Sequence, residues 1–316
     1  MHSRLMSLRN IELKEILQRC GWPTSGTKYE MVEKVKSQLL LPRLATLRYS
    51  GPGILRETKR ASGEHRILSL DMGIKNLALC LLKVSSGDLE SDIMVHPKIL
   101  AWQKFSLTDI AHDISLNRKS KDILYPEVIQ LSDVDFAAAS LAPLATFFAR
   151  QLVTIHKPTM IAIEKQRYRT MGSAAVQEWT IKVNKLEAML HAALRVMQEE
   201  GFWKYGSTCS VCPQRMTNFW LNQNRLLPKS RAGKITKSLK IQLVRGWLKD
   251  GQAVTFNGND EGISKIVSDF TETTKRNKSN TSDKLDDLAD CLLQGLGLIE
   301  WERNRLRLVK EYKIQM

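Results

Sequence analysis

The chain has 316 residues, 43% of them hydrophobic and 26% charged, enough at roughly 150 residues per domain for two domains whose cores need no disulfide or metal staple. No apolar run approaches the roughly 20 residues that a membrane-spanning helix requires, which excludes a helical membrane protein. Forty-eight Lys and Arg against 33 Asp and Glu leave a net charge of +15. The pI is about 9.6, an excess that points to a polyanionic partner, nucleic acid first; the alternative is a generally basic environment. The cysteines, Cys20, Cys80, Cys209, Cys212 and Cys291, are odd in number and scattered, which argues against a disulfide framework and for a reducing compartment. Cys209 and Cys212 form a CxxC, but no second pair follows to complete four zinc ligands, so they read as structural.

From Ser3 to Leu41 the spacing predicts helix, tight turn, helix. Leu5, Leu8, Ile11, Leu13, Ile16 and Leu17 recur at helical spacing, Gly21 ends the first helix, and Met31, Val32 and Val35 stripe the second. Residues 43–65, with Gly51, Pro52, Gly53, Arg56, Lys59 and Arg60, read as a basic linker, so the N-terminal unit is expected to be tethered and not fused. From Arg66 onward come apolar strands, ILSLD, LALCLLKV and a third near IMVHPKILAWQKF, with a turn at Gly73–Asn76. Residues 136–156 predict an amphipathic helix, MIAIE a short buried strand, 174–200 a long helix and TCSVC another strand. Further helices follow near 213–223, 236–249, 260–270 and 284–300.

The stretch LKEILQRCGWPTSGTKYEMVEKV resembles the SAP module, a helical DNA-binding motif of about forty residues. The resemblance implies that Thr24, Ser25, Gly26, Thr27 and Lys28 lie on duplex DNA, and hydroxyls, a lysine and helix N-terminal N–H groups are phosphate ligands. The competing reading is a helical hairpin that merely packs on the rest of the chain.

Three segments place acids where they invite a cation. Asp71 ends ILSLD, and a carboxylate at the end of a buried strand is costly unless it is ionised against a positive charge; a solvated turn acid is the alternative. Glu164 ends MIAIE in the same manner and is followed by Lys165, Gln166, Arg167, Tyr168 and Arg169, a basic cluster with one aromatic suited to a phosphate backbone. In DKLDDLADCLLQGL, Asp286, Asp287 and Asp290 fall within about 100° of one another on a helix, with Leu285, Leu288, Leu292 and Leu296 opposite. A solvated helix start with Asp283 as N-cap competes with a metal-binding face. Together the acids form hard oxygen ligands of the kind that suits Mg²⁺. Two such ions about 4 Å apart align an attacking water and stabilise the leaving oxygen of a phosphodiester.

In LDMGIKNLALC, IAIEKQRYRT and DKLDDLADCLLQ, in that order, the chain resembles the RNase H-like superfamily and within it the fungal mitochondrial Holliday-junction resolvases, relatives of bacterial RuvC. The resemblance implies an α/β fold, an RNase H-like mixed sheet flanked by helices over residues 66–316, behind a SAP-like module at 1–42. It implies a homodimer that resolves four-way DNA junctions in mitochondria, using two Mg²⁺ per active site with Mn²⁺ as a substitute. The short, basic, acid-free start MHSRLMSLRN is in keeping with a transit sequence. The implied catalytic and metal-binding acids are Asp71, Glu164 and a pair drawn from Asp286, Asp287 and Asp290: Asp286 with Asp290 fits the fungal pattern, Asp287 with Asp290 the bacterial spacing.

Arg231, Lys234, Lys237 and Lys240 lie in a basic stretch that runs from Arg225 to Arg245, and Lys275, Arg276 and Lys278 precede the acidic helix. Such residues suit duplex binding, because phosphate contacts supply most of the affinity, although a solvated surface has the same composition. Glycine-rich phosphate loops, GxSxG and HExxH are lacking, so no small-molecule cofactor is expected. Two other functions share these features: another RNase H-like nuclease, or a DNA-packaging protein whose acids are structural.

Overall fold

The computed structural model describes residues 1–41, 44, 46–49, 55–58, 63–91, 95–107, 137–166, 177–223, 236–272 and 280–312. In chain order they form α1 (His2–Ser7), α2 (Asn10–Arg19), α3 (Lys28–Leu39), β1 (Thr46–Tyr49), β2 (Leu55–Thr58), β3 (Glu64–Asp71), β4 (Leu77–Ser85), α4 (Ser86–Glu90) and β5 (Lys98–Phe105). The order continues with α5 (Ala138–His156), β6 (Met160–Glu164), α6 (Glu178–Glu199), β7 (Ser207–Val211), α7 (Pro213–Gln223), α8 (Thr236–Asp250), β8 (Thr255–Phe256), α9 (Glu261–Thr271) and α10 (Asn280–Glu311).

Six strands form one mixed sheet in the order β7-β6-β3-β4-β5-β8. Apolar runs such as Ile67–Leu70 and Leu77–Leu82 suit strands covered on both faces. β3, β4 and β5 are antiparallel neighbours, whereas β6 runs parallel to both β3 and β7. Period-two alternation sorts the side chains. Ile67, Ala78, Cys80, Leu82, Met160 and Ala162 face a core closed by α7, α8, α9 and α10, while Leu68, Leu70, Leu79, Ile161 and Ile163 face a second core under α5 and α6. α5 corrects one expectation from composition: it is long and apolar enough to cross a membrane, yet its Leu141, Leu144, Phe148 and Leu152 are buried against the sheet.

The N-terminal unit differs from the expectation in two ways. Its first helix is split, because Leu8 is extended and the Arg9 N–H donates to Glu12 Oε2 at 2.6 Å, starting α2 anew. It is also docked and not merely tethered. Leu5, Leu13, Leu17, Met31, Val32, Val35 and Leu39 share a core with Leu308 and Val309 of α10, and Leu44 is buried in the core between the sheet and α10. The stretch expected as linker holds a paired hairpin, with Thr46 opposite Thr58 and Tyr49 opposite Leu55.

Gly21 shows how closely the two parts fit. It ends α2 at φ +65°, and a Cβ there would lie 2.2 Å from the buried Trp301 ring of α10. Gly21→Ala combines left-handed strain with a clash against a side chain that has no room to move, and is expected to cost about 3 kcal/mol, read as a lowered midpoint in urea or heat.

Candidate active site

Asp71 and Glu164 are the last residues of β3 and β6, which pair in parallel with Leu70 opposite Ile163. In each strand the acid continues the series that faces α10: Ile67, Ser69, Asp71 and Met160, Ala162, Glu164. The two side chains therefore face each other on the α10 side of the sheet, close enough for Glu164 to act on the Asp71 carboxyl. Asp71 is 9% exposed; burial first, then Glu164 and Asp287, push its carboxyl well above the ordinary carboxylate range, against the opposing pull of Lys240.

α10 lies across these strand ends and is held there by its own hydrogen bonds. The Gln294 amide donates to both Leu70 O and Ala162 O at 3.1 Å, and Trp102 Nε1 donates to Leu288 O at 3.0 Å. At Gly295 a Cβ would sit 2.8 Å from Leu82 Cδ1, so the glycine lets the helix approach the sheet. Gln294 and Trp102 carry no charge pattern that would have marked them in the sequence, although Gln294 follows Asp290 by one helical turn.

Asp286, Asp287 and Asp290 of α10 each meet a lysine from another element. Lys240 Nζ lies 2.6 Å from Asp290 Oδ1, Lys237 Nζ 2.9 Å from Asp286 Oδ2, and Lys104 Nζ of β5 2.5 Å from Asp287 Oδ2. Burial, set against Lys240 and reinforced by Asp71 and Asp286, leaves Asp290 pushed up to about 7. Burial alone would lower Lys240, but Asp290, Asp286 and Glu164 outweigh it and hold the ammonium above the ordinary lysine value. Asp286 is 6% exposed, and its Oδ1 has no hydrogen-bond partner. A cleft of about 580 Å³ opens over the group, lined by Glu164, Lys165, Gln166, Trp179, Lys237, Lys240, Asp286 and Asp290. Neither Asp71 nor Asp287 is among its lining; Asp71 lies beneath, and Asp287 pairs with Lys104.

Among the described residues no three His, Cys, Asp or Glu side chains stand as a ready metal cage, since lysines neutralise the aspartates. The donor chemistry nevertheless fits a divalent cation. The buried Asp71 carboxyl crowded by Glu164 and the orphaned Asp286 Oδ1 are both places where a hard cation would replace an awkward arrangement.

Of the residues expected on DNA, Lys165, Gln166, Lys237 and Lys240 border the cleft. Thr24, Ser25, Gly26 and Thr27 are exposed and Lys28 half-buried on the docked N-terminal unit, outside the cleft. Arg167, Tyr168, Arg169, Arg231 and Lys234 lie outside the described residues, as do Arg225, Lys275, Arg276 and Lys278. Trp203, Phe219 and Trp220 are core residues. The role of Lys104 was not legible in the sequence, where it is one basic residue in a strand.

The family model described as mitochondrial resolvase Ydc2 / RNA splicing MRS1 matches residues 67–308. Cruciform cutting endonuclease 1, mitochondrial, of Schizosaccharomyces pombe is 27% identical over 293 residues, 92% of this chain and 91% of that protein. The protein of the same name from Saccharomyces cerevisiae is 27% identical over 288 residues, 79% of this chain and 72% of its own length. The crystal structure of the yeast mitochondrial Holliday junction resolvase Ydc2 superposes with a TM-score of 0.59 at 25% identity, covering 96% of this chain and 97% of that one. With the match extending through all three acid-bearing segments and most of the chain, this protein belongs to the Ydc2/MRS1 mitochondrial resolvase family.

Proposed function

We propose that this chain is a mitochondrial, structure-selective endonuclease that resolves four-way DNA junctions by Mg²⁺-dependent phosphodiester hydrolysis, with Asp71, Glu164, Asp286 and Asp290 holding two ions. One observation carries the reading: two acids from adjacent parallel strand ends face each other beneath an aspartate-bearing helix, beside a cleft that Glu164, Asp286 and Asp290 line together with Lys237 and Lys240. An RNA-splicing or packaging role needs the basic rim but gives no reason to bury acids against one another at this cost. The printed names of the relatives, cruciform cutting endonuclease and Holliday junction resolvase, support the nuclease among the activities that the family description covers.

When bound, Mg²⁺ would supply Lewis acidity at the scissile phosphate and lower the pKa of the attacking water, and Mn²⁺ would do the same. Asp286 is favoured over Asp287 because it lines the same cleft as Asp290 and has an oxygen without a hydrogen-bond partner. Lys237 and Lys240, once released from Asp286 and Asp290, are placed to meet phosphate oxygens, and Gln294 holds the helix carrying the aspartates against the strands carrying Asp71 and Glu164. Thr24–Lys28 contact duplex phosphates away from the cleft.

The deciding experiment compares nicking of a four-way junction, a linear duplex and an RNA–DNA hybrid, with and without Mg²⁺. Metal-dependent cutting of the junction alone is the expected result; preference for the hybrid would make the protein a ribonuclease, and no cutting of any substrate would favour the packaging role. Paired incision across a junction requires two sites related by a two-fold axis. Sedimentation of the DNA-free protein is therefore expected to give about twice 36.0 kDa, and a chain that stays monomeric on a junction would leave it a single-nick enzyme.

A further inference from the structure

The last turns of α10 bury an unusual run of polar residues: Glu302, Arg303, Asn304 and Arg305 are all buried, Arg305 to 1% exposure. They are covered in part by the N-terminal unit, and two of them, Asn304 and Arg305, are tied to its backbone. Arg305 makes a two-pronged ion pair with Glu302 at 2.9 and 2.7 Å and donates through Nη1 to Leu39 O, at the end of α3, at 2.8 Å. Asn304 Nδ2 donates to Arg19 O, at the end of α2, at 2.8 Å, and Arg215 of α7 donates to Gly21 O at 2.9 Å. An apolar seam alone would allow the unit to slide. A buried ion pair is a poor source of net stability, but its directional bonds define one register, and here they hold the carbonyl ends of two different helices of the unit.

The Thr24–Lys28 turn is braced as well. Thr27 caps α3 reciprocally with Glu30, and Lys34 Nζ donates to Ser25 O at 2.6 Å. The exposed turn is thus fixed to α2 and α3, these to the end of α10, and α10 by Gln294 to the strands that carry the acids.

From this we infer that α10 acts as a gauge, holding the DNA-contacting turn at a set distance from the carboxylates, so that the enzyme tests whether a continuous duplex arm of sufficient length leaves the site of cutting. Glu302, Asn304 and Arg305 are the positioning residues. The inference rests on the proposed DNA binding by the turn. Asn304 lies fourteen residues beyond Asp290, about 21 Å along the helix, which corresponds to roughly six base pairs of duplex. With the width of the unit added, the turn first meets an arm of on the order of six to ten base pairs.

The test measures affinity of the full chain in EDTA for four-way junctions with arms of 4 to 20 base pairs, for the natural sequence and for Lys28→Glu. On 20-base-pair arms Lys28→Glu is expected to bind about tenfold more weakly and with a shallower salt dependence. That difference is expected to vanish abruptly as arms fall through the six to ten base-pair window. Equal affinity of the two proteins on long arms would mean that the turn does not hold DNA, which removes the module's proposed role and the gauge together. A loss that fades gradually with arm length, as a flexible tether gives, would overturn the gauge alone. Glu302→Leu with Arg305→Met keeps the seam apolar without its directional bonds; it is expected to retain tight binding to long arms while spreading the threshold over more base pairs. An unchanged sharp threshold in this variant, shown to be folded by circular dichroism, would overturn the role of the ion pair. Should the variant not fold, the arm series with Lys28→Glu still decides the gauge.

Discussion

Asp71→Asn and Glu164→Gln are each expected to reduce junction cleavage in Mg²⁺ by about a thousandfold or more, with junction affinity unchanged or slightly improved. Each amide preserves shape but removes a negative charge from the cation site, and metal-borne stabilisation of a phosphodiester transition state is worth several kcal/mol. Binding is spared because losing an anion beside DNA relieves repulsion of phosphates. Asp290→Asn is expected to behave in the same way. The geometry also separates the two neighbouring aspartates: Asp286, which lines the cleft beside Asp290 and has an orphaned oxygen, is expected to be required, whereas Asp287, paired with Lys104 of β5, is expected to be dispensable to within about tenfold. Single-turnover cleavage of a labelled junction measures all five variants. Wild-type rates for both Asp71→Asn and Glu164→Gln, with native circular dichroism, would remove the active-site assignment.

The crowding of acids has a second consequence, readable without any DNA. Asp290 is held at about 7 in the folded protein, against 3.8 for a free aspartate. For a raised carboxyl pKa, the folded state keeps its proton while the unfolded chain has lost it, so stability falls as pH rises from about 4 to about 7 and is flat above. In EDTA, Asp290 alone is expected to remove about 2–3 kcal/mol between pH 5 and pH 7, at about 1.4 kcal/mol per pH unit, with Asp71 adding in the same direction. Other groups titrate in this range, half-buried His156 and His191 in the opposite sense because partial burial lowers their pKa. The informative quantity is therefore the difference between the natural chain and Asp290→Asn. Calorimetry in EDTA is expected to show Asp290→Asn gaining stability relative to the natural chain as pH rises from 5 to 7. Mg²⁺, which binds the ionised carboxylates, is expected to raise the melting temperature of the natural chain more at pH 8 than at pH 5.5, and much less in the variant. A metal-induced shift that is the same at both pH values and in both proteins would place the ion elsewhere.

The local pattern of the chain was enough to find both strand-end acids, because an apolar run that terminates in a carboxylate is visible without knowing its neighbours: Ile67–Asp71 and Met160–Glu164 each show it. The aspartates of α10 were visible for a similar reason, since helical spacing groups Asp286, Asp287 and Asp290 whatever the helix packs against. Most of the strands and helices were likewise legible from periodicity. What a one-dimensional pattern does not contain is register and partnership. That Leu70 lies opposite Ile163, bringing Asp71 to Glu164 on the α10 face, is a property of the parallel pairing of β3 with β6. Lys237 and Lys240 read as DNA contacts because a lysine's charge is local, while its pairing with Asp286 and Asp290 depends on α8 packing beside α10. The last eleven residues of α10 escaped for the same cause. The helix expected near 284–300 runs on to Glu311, and Glu302, Asn304 and Arg305 in that extension become interior where α2 and α3 dock against it. The supposed tether thus turned into an interface, because burial of a charged side chain is decided by the groups that arrive to satisfy it, and those groups lie about 270 residues away in the chain.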